Sequence, residues 1–202
     1  MTTYPIRLFG DPALRRRARP ATAFGSELVR LGDGLIDAML GAQGAGLAAP
    51  QVGVGVRAFA LAGTYAGLLD PDEEHEPATE RAHCVVYVNP EIVEHDGVRV
   101  DVEGCLSIPG IYTDVKRAAR LVVRYQDVLG GKHEVVAEGN HAKAVQHELD
   151  HLDGVLFLDR LNEPERRRLM EEHRAALAEM QRDAKAHLRA LRDAGAPAAP
   201  WP

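Results

Sequence analysis

Only two cysteines, Cys84 and Cys105, occur among 202 residues. Two thiols cannot build a disulfide framework. In a reducing compartment each is free to bind a metal or to fill a small space in a core. A basic excess is also missing. Lys and Arg number 24 against 30 Asp and Glu, for a formal net charge of −6. Such a chain lacks the concentrated positive surface that phosphate backbones require, so no direct nucleic-acid binding is expected. No run approaches the ~20 consecutive apolar residues of a membrane span. The opening residues, Met1-Thr2-Thr3-Tyr4-Pro5-Ile6-Arg7, do not combine a basic segment with an apolar run. They do not read as a secretory signal, and a cytoplasmic protein is expected. Internal repeats are absent too. With 46% apolar and 27% charged residues, the composition is that of an ordinary globular protein. The length suits one domain over 1–202, with enough core to fold without staples.

Residues 1–24 read as an irregular arm carrying Gly10, Asp11, Pro12 and Pro20. Ser26 can cap a helix whose Leu28, Leu31, Leu35, Met39 and Leu40 share one face. That helix should stop between Gly41 and Gly44. Short Val-rich segments at 56–62, 84–88, 98–102, 121–125 and 134–137 predict strands. The acidic, Pro-flanked stretch 70–77 predicts an exposed loop. A helix is expected over about 141–152 with Asn140 as its cap, and a long one over about 164–192 with Asn162 as its cap. Leu169, Met170, Leu177, Met180, Ala184, Leu188 and Leu191 form a helical stripe on the latter. This helix is expected to pack on its own domain, leaving a monomer, with a frayed tail over 194–202. The order of elements predicts an α+β fold. Mainly antiparallel sheets would pack around the 141–152 helix, flanked by an N-terminal and a long C-terminal helix.

That central helix carries Gln146-His147-Glu148-Leu149-Asp150-His151, an HExxH pattern. At about 100° per residue, His147 and His151 project from one face, one turn apart. Two imidazoles so placed can hold one metal ion. Glu148 is turned about 100° from His147, where it can take a proton from an activated water. Ala142, Val145, Leu149 and Leu152 centre nearly opposite the two His. The helix therefore has a core side and a polar side. Chance occurrence in a solvated helix is the plainer alternative, and the apolar opposite face argues against it.

A catalytic metal site generally has three protein ligands. The extended pattern HExxHxxGxxH fits at Gly154 but fails at Phe157. A downstream glutamate is a second option. Glu171 and Glu172 stand at a suitable separation, but they read more simply as a solvated face. The third option lies upstream in Glu103-Gly104-Cys105-Leu106-Ser107, where a thiol follows a strand candidate. Cys105 alone would more often be a small buried residue. Cys84, in an apolar segment, reads as core. Gln51 could be an ordinary polar residue after Pro50, and the run Gly44-Ala45-Gly46-Leu47-Ala48-Ala49 could serve tight packing. Gln146 and Asp150 read as groups behind the ligands or on the helix surface.

Three segments together resemble the peptide deformylase family: Gly44-Ala45-Gly46-Leu47-Ala48-Ala49-Pro50-Gln51, Glu103-Gly104-Cys105-Leu106-Ser107, and Gln146-His147-Glu148-Leu149-Asp150-His151. Gly10-Asp11-Pro12, Val88-Asn89-Pro90-Glu91 and Leu152-Asp153-Gly154 extend the likeness over roughly 5–160. The family removes the N-formyl group from the initiator methionine of new polypeptides. The resemblance implies Cys105, His147 and His151 as metal ligands and Glu148 as the acid/base. It implies Gln51 and the Leu106 N–H as oxyanion donors. Gly46, with Gly44 and Ala45, would contact the substrate backbone. The implied cofactor is one divalent ion, Fe²⁺ foremost, with Zn²⁺, Ni²⁺ or Co²⁺ as substitutes. The implied partners are N-formylmethionyl nascent chains, met at the ribosome.

Two positions depart from the family's habit. Asn140 stands where an apolar or aromatic residue near the methionine pocket is usual, and Lys143 where Arg is frequent. These point to an altered pocket, as in a specialised or inhibitor-resistant copy. An HExxH metallopeptidase is the alternative activity.

Overall fold

The computed structural model describes residues 4–194. Helix α1 spans Ser26–Gly41, then come strands β1 (Gly46–Ala48) and β2 (Ala58–Leu61) and helix α2 (Pro77–Ala82). Strands β3 (Val85–Asp96), β4 (Arg99–Cys105), β5 (Ile108–Arg117), β6 (Arg120–Gln126) and β7 (Lys132–Glu138) follow. Helices α3 (Gly139–Leu152), α4 (Glu163–Glu172) and α5 (Arg174–Asp193) complete the order. An antiparallel sheet runs β1-β2-β3-β6-β7, and β4-β5 form a separate hairpin. The fold is the mixed helix and antiparallel-sheet arrangement expected. No helix among the described residues is long and apolar enough to cross a membrane.

Burial on both faces explains the short central strands. On β2, Ala58 and Ala60 join Leu28, Leu31, Leu35 and Met39 of α1 in one core. Their neighbours Phe59 and Leu61 join Val145, Leu149 and Leu152 of α3 in another. Side chains alternate across a strand, so a four-residue strand serves two helices. A third core holds Ile108, Ile111 and Val115 of β5 against Phe157, Leu169, Leu177 and Met180. The C-terminal helices thus pack on the domain that carries them.

Several local expectations need correction. Ser26 does not cap α1. Gly25, at φ +124°, precedes the helix and no side-chain cap bond forms. β1 and β5 went unpredicted, because β1 is a small-residue run and β5 lacks a sustained apolar alternation. β3 runs eight residues beyond the expected 84–88, carried past Pro90 by irregular register near Asn89, whose φ is +49°. Residues 77–82, beyond the exposed acidic loop, form α2 with Pro77 in its first turn. Asn140 is not the cap of α3. The helix starts at Gly139, which takes φ +58° at the junction with β7, so Asn140 already sits inside the first turn. The expected long helix is two helices divided at His173. No Gly or Pro marks that break; Leu169 and Leu177, on either side of it, enter the same core. Asn162 does cap α4: it accepts from Glu165 N at 2.9 Å, and Glu165 answers at 3.1 Å. The predicted tail over 194–202 falls outside the described residues from 195 onward.

Candidate metal centre

The polar side of α3 faces the tip of the β4-β5 hairpin. Cys105 ends β4 and pairs with Ile108, so Leu106 and Ser107 form the turn. The Cys105 Sγ stands 3.2 Å from His151 Nε2. Cys105, His147 and His151 each offer a ligand atom, and these atoms lie within 4.8 Å of one another. Glu171 and Glu172, the alternative third ligands, are exposed on α4. Phe157, which closed the extended-motif route, is buried with its ring stacked against His147 at 6.2 Å.

One of the two imidazoles, that of His147, is held from behind. His147 Nδ1 contacts Glu103 Oε2 at 3.0 Å, which leaves Nε2 for the centre. Glu103 is gripped by Arg117 through two hydrogen bonds of 2.7 and 2.9 Å. Arg117 also donates to Asp150 at 2.7 Å, and Arg160 donates to the same carboxylate. Burial opposes ionisation of Glu103, but the bonds from Arg117 and His147 prevail and hold its carboxyl at about 2. A carboxylate behind a metal-binding histidine fixes its ring and tautomer. Glu103, Arg117 and Arg160 had no role assigned from sequence. Glu103 lies two residues before Cys105 on the same strand face, a signal that alternation could have supplied. Arg117 and Arg160 are brought in only by tertiary contact. Gln146 stays behind the site, bonding the Ala118 backbone at 3.0 and 3.1 Å.

Glu148 is 3% exposed and its Oε2 has no hydrogen-bond partner. Burial pushes this carboxyl up to about 7; Glu103 and Asp150 add to the rise while His147 opposes it. The other oxygen, Oε1, comes so near Gly46 that a Cβ there would stand 2.5 Å away. A Cβ at Gly44 would meet Leu106 at 2.6 Å. The Gly/Ala run thus lets backbone approach the acid and the hairpin turn. Gln51, 1% exposed, accepts from Ala48 N at 2.8 Å. That bond turns its amide N–H groups toward Ser107 Oγ at 3.2 Å and Cys105 Sγ at 3.5 Å.

These groups border a cleft of about 460 Å³ that includes Gly44, Ala45, Gly46, Gln51, Leu106 and Glu148. Asn140, expected at the substrate pocket, is exposed and does not line it, because the early start of α3 leaves it in the solvent-facing first turn. From α3 the wall is formed instead by Lys143 and Ala144. The donor set fits one divalent ion. A thiol and two imidazoles suit iron or zinc, and a buried carboxylate oxygen without a partner stands beside them. The arrangement can activate a water and receive its proton.

Comparison with known proteins agrees with this chemistry. Residues 3–167 match the sequence profile of the family described as polypeptide deformylase. A peptide deformylase of Thermus thermophilus is 46% identical over 191 residues, covering 93% of this chain and 97% of the relative. One of Thermotoga petrophila is 42% identical, covering 81% and 90%. The crystal structure of the Thermus thermophilus peptide deformylase superposes with a TM-score of 0.78 at 41% identity, covering 90% of this chain and 99% of that one. A Legionella pneumophila peptide deformylase structure gives 0.74 at 34% identity, covering 90% and 96%. With the profile spanning most of the chain and the relatives matched over nearly their whole length, the chain belongs to the polypeptide deformylase family.

Proposed function

We propose that the chain hydrolyses the N-formyl group of formylmethionyl polypeptides and releases formate, with Cys105, His147 and His151 holding one divalent ion, Fe²⁺ in the cell. The observation that carries this reading is the convergence of those three ligand atoms beside the unpartnered, buried Glu148 Oε2. A bound divalent ion supplies Lewis acidity that lowers the pKa of water to about 7 and polarises a carbonyl.

The chain's own residues do the rest. Glu148 Oε2 accepts the proton of the attacking water, and a carboxyl poised near neutrality suits both taking and giving it. Gln51 Nε2–H and the Leu106 backbone N–H donate to the oxygen that becomes negative in the tetrahedral state. One such donor is worth about 3–4 kcal/mol of barrier. Glu148 then returns the proton to the departing amine. Gly44, Ala45 and Gly46 present backbone to the substrate; a side chain at Gly44 would collide with Leu106, and one at Gly46 with Glu148. The expected substrates are nascent chains emerging at the ribosome in the cytoplasm, met by a monomeric enzyme.

The test is anaerobic purification, metal analysis and formate release from formyl-Met-Ala-Ser. Glu148→Ala is expected to keep its metal and to lose about 10²- to 10⁴-fold in turnover. Wild-type turnover in that variant would sink the mechanism. Cys105→Ala is expected to lose metal and activity together; retention of both would return the site to a glutamate-ligated metallopeptidase.

A further inference from the structure

Two buried charged side chains of the N-terminal arm have polar atoms that bond to nothing among the described residues. Arg7 is 7% exposed, and its Nε and Nη1 have no hydrogen-bond partner. Asp11 is 2% exposed; its Oδ1 accepts from Ala13 N at 2.8 Å, and its Oδ2 has no partner. Arg7 Nη1 and Asp11 Oδ2 stand 3.8 Å apart, near enough to attract but too far for a hydrogen bond. A buried charge left unbonded is costly, and a partner that bonds it recovers that cost.

Both side chains line a cavity of about 250 Å³ between the arm and the last turns of α5. Among the described residues it shares no wall with the cleft at the metal centre. Pro12, Ala13, Leu188 and Leu191 give it an apolar side. Arg16 and Arg192 also line it, so three cations face one carboxylate. The Arg7 guanidinium packs on Gly53, where φ is +85° and a Cβ would stand 2.7 Å from Nη2. A guanidinium held against backbone offers its donors in a fixed geometry. The cavity thus presents side by side donors for an anion, an acceptor for a cation and an apolar surface.

We infer that this cavity binds a free α-amino acid with an aliphatic or thioether side chain. The carboxylate of the ligand meets the unpartnered Arg7 nitrogens, its ammonium donates to Asp11 Oδ2, and its side chain covers Leu188 and Leu191. Each orphaned group then gains a charge-assisted hydrogen bond, the strong kind. A simple anion would leave Asp11 Oδ2 unbonded beside a second negative charge. A simple cation would leave the Arg7 nitrogens unbonded in the same way. The site lies outside the metal centre and does not depend on the deformylase reading.

The probe is L-leucine, titrated calorimetrically into the metal-loaded protein. Saturable binding at one site is expected, with Kd below about 1 mM. Isocaproate lacks the ammonium, isoamylamine lacks the carboxylate and glycine lacks the apolar arm. Each is expected to bind at least about tenfold more weakly than L-leucine. Asp11→Asn keeps the Oδ1 acceptor for Ala13 N and should bring L-leucine down to the affinity of isocaproate. Leu191→Glu, with folding checked by circular dichroism, changes only the α5 wall and should weaken L-leucine by at least about tenfold. Three results overturn the inference: no saturable heat up to about 10 mM L-leucine, equal affinity for L-leucine and isocaproate in the wild type, or wild-type affinity for L-leucine in both variants.

Discussion

Helices α1 and α3 lie on opposite faces of the same sheet, and their buried surfaces differ in kind. α1 buries Leu28, Leu31, Leu35 and Met39 with no charged side chain among them. α3 buries Ala142, Val145, Leu149 and Leu152 toward the sheet, yet also buries Glu148, Asp150 and His151 toward the hairpin. Apolar burial stabilises in proportion to area and needs no partner. Polar burial costs unless each group is bonded. On α3 the behind-site groups are bonded, Asp150 by two arginines and His147 by Glu103. The orphans are Glu148 Oε2, beside the ligand atoms, and His151 Nδ1, on the far side of the ring from the Nε2 that meets Cys105. One helix therefore only holds the fold, while the other also carries a site.

The Glu148→Ala test already described probes the orphan directly and has the largest effect. Arg117→Met attacks the bonded shell next. It leaves Glu103 and Asp150 buried without their shared cation and is expected to cost about 3–5 kcal/mol in urea unfolding. Metal affinity should fall about 10- to 100-fold in a titration with a competing chelator, because His147 loses its support. Equal metal affinity in the variant would mean the network serves the fold alone.

Leu35→Ala is the matching cut on α1. A fully buried leucine truncated to alanine is expected to cost about 2–5 kcal/mol. The kcat of the folded fraction should not change, since α1 contributes no group to the centre. A large fall in kcat without loss of stability would erase the distinction between the two helices.

A pH effect comes fourth. The Tyr87 hydroxyl meets His141 Nε2 at 2.9 Å inside the core, and burial holds the His141 imidazole below the ordinary 6.5. The unfolded chain then binds the proton first. The contribution is present above about pH 6.5 and lost as pH falls through the lowered folded value. His141→Gln is expected to flatten the decline of the urea midpoint below neutrality. An unchanged pH slope would show that His141 does not titrate with unfolding. Smallest is Arg167→Ala, which removes an exposed i,i+4 pair with Glu163. It should change stability by no more than about 0.5 kcal/mol.

Much of this was legible in the chain, but unevenly. His147, Glu148 and His151 were readable because helical spacing is local and fixes which side chains share a face. The α1 stripe and the Asn162 cap were readable for the same reason. β1 and β5 were not, since their strand character comes from partners rather than from their own alternation. Asn140 was misjudged because a single junction glycine moved the helix start.

The sequence by itself determined the reacting helix and the family to which the chain belongs, through motifs whose geometry follows from backbone periodicity. Only the tertiary structure brought Cys105 to His151, placed Arg117 between Glu103 and Asp150, and put Lys143 rather than Asn140 in the cleft. Those contacts join residues far apart in the chain, and no local periodicity encodes which distant elements will pack together.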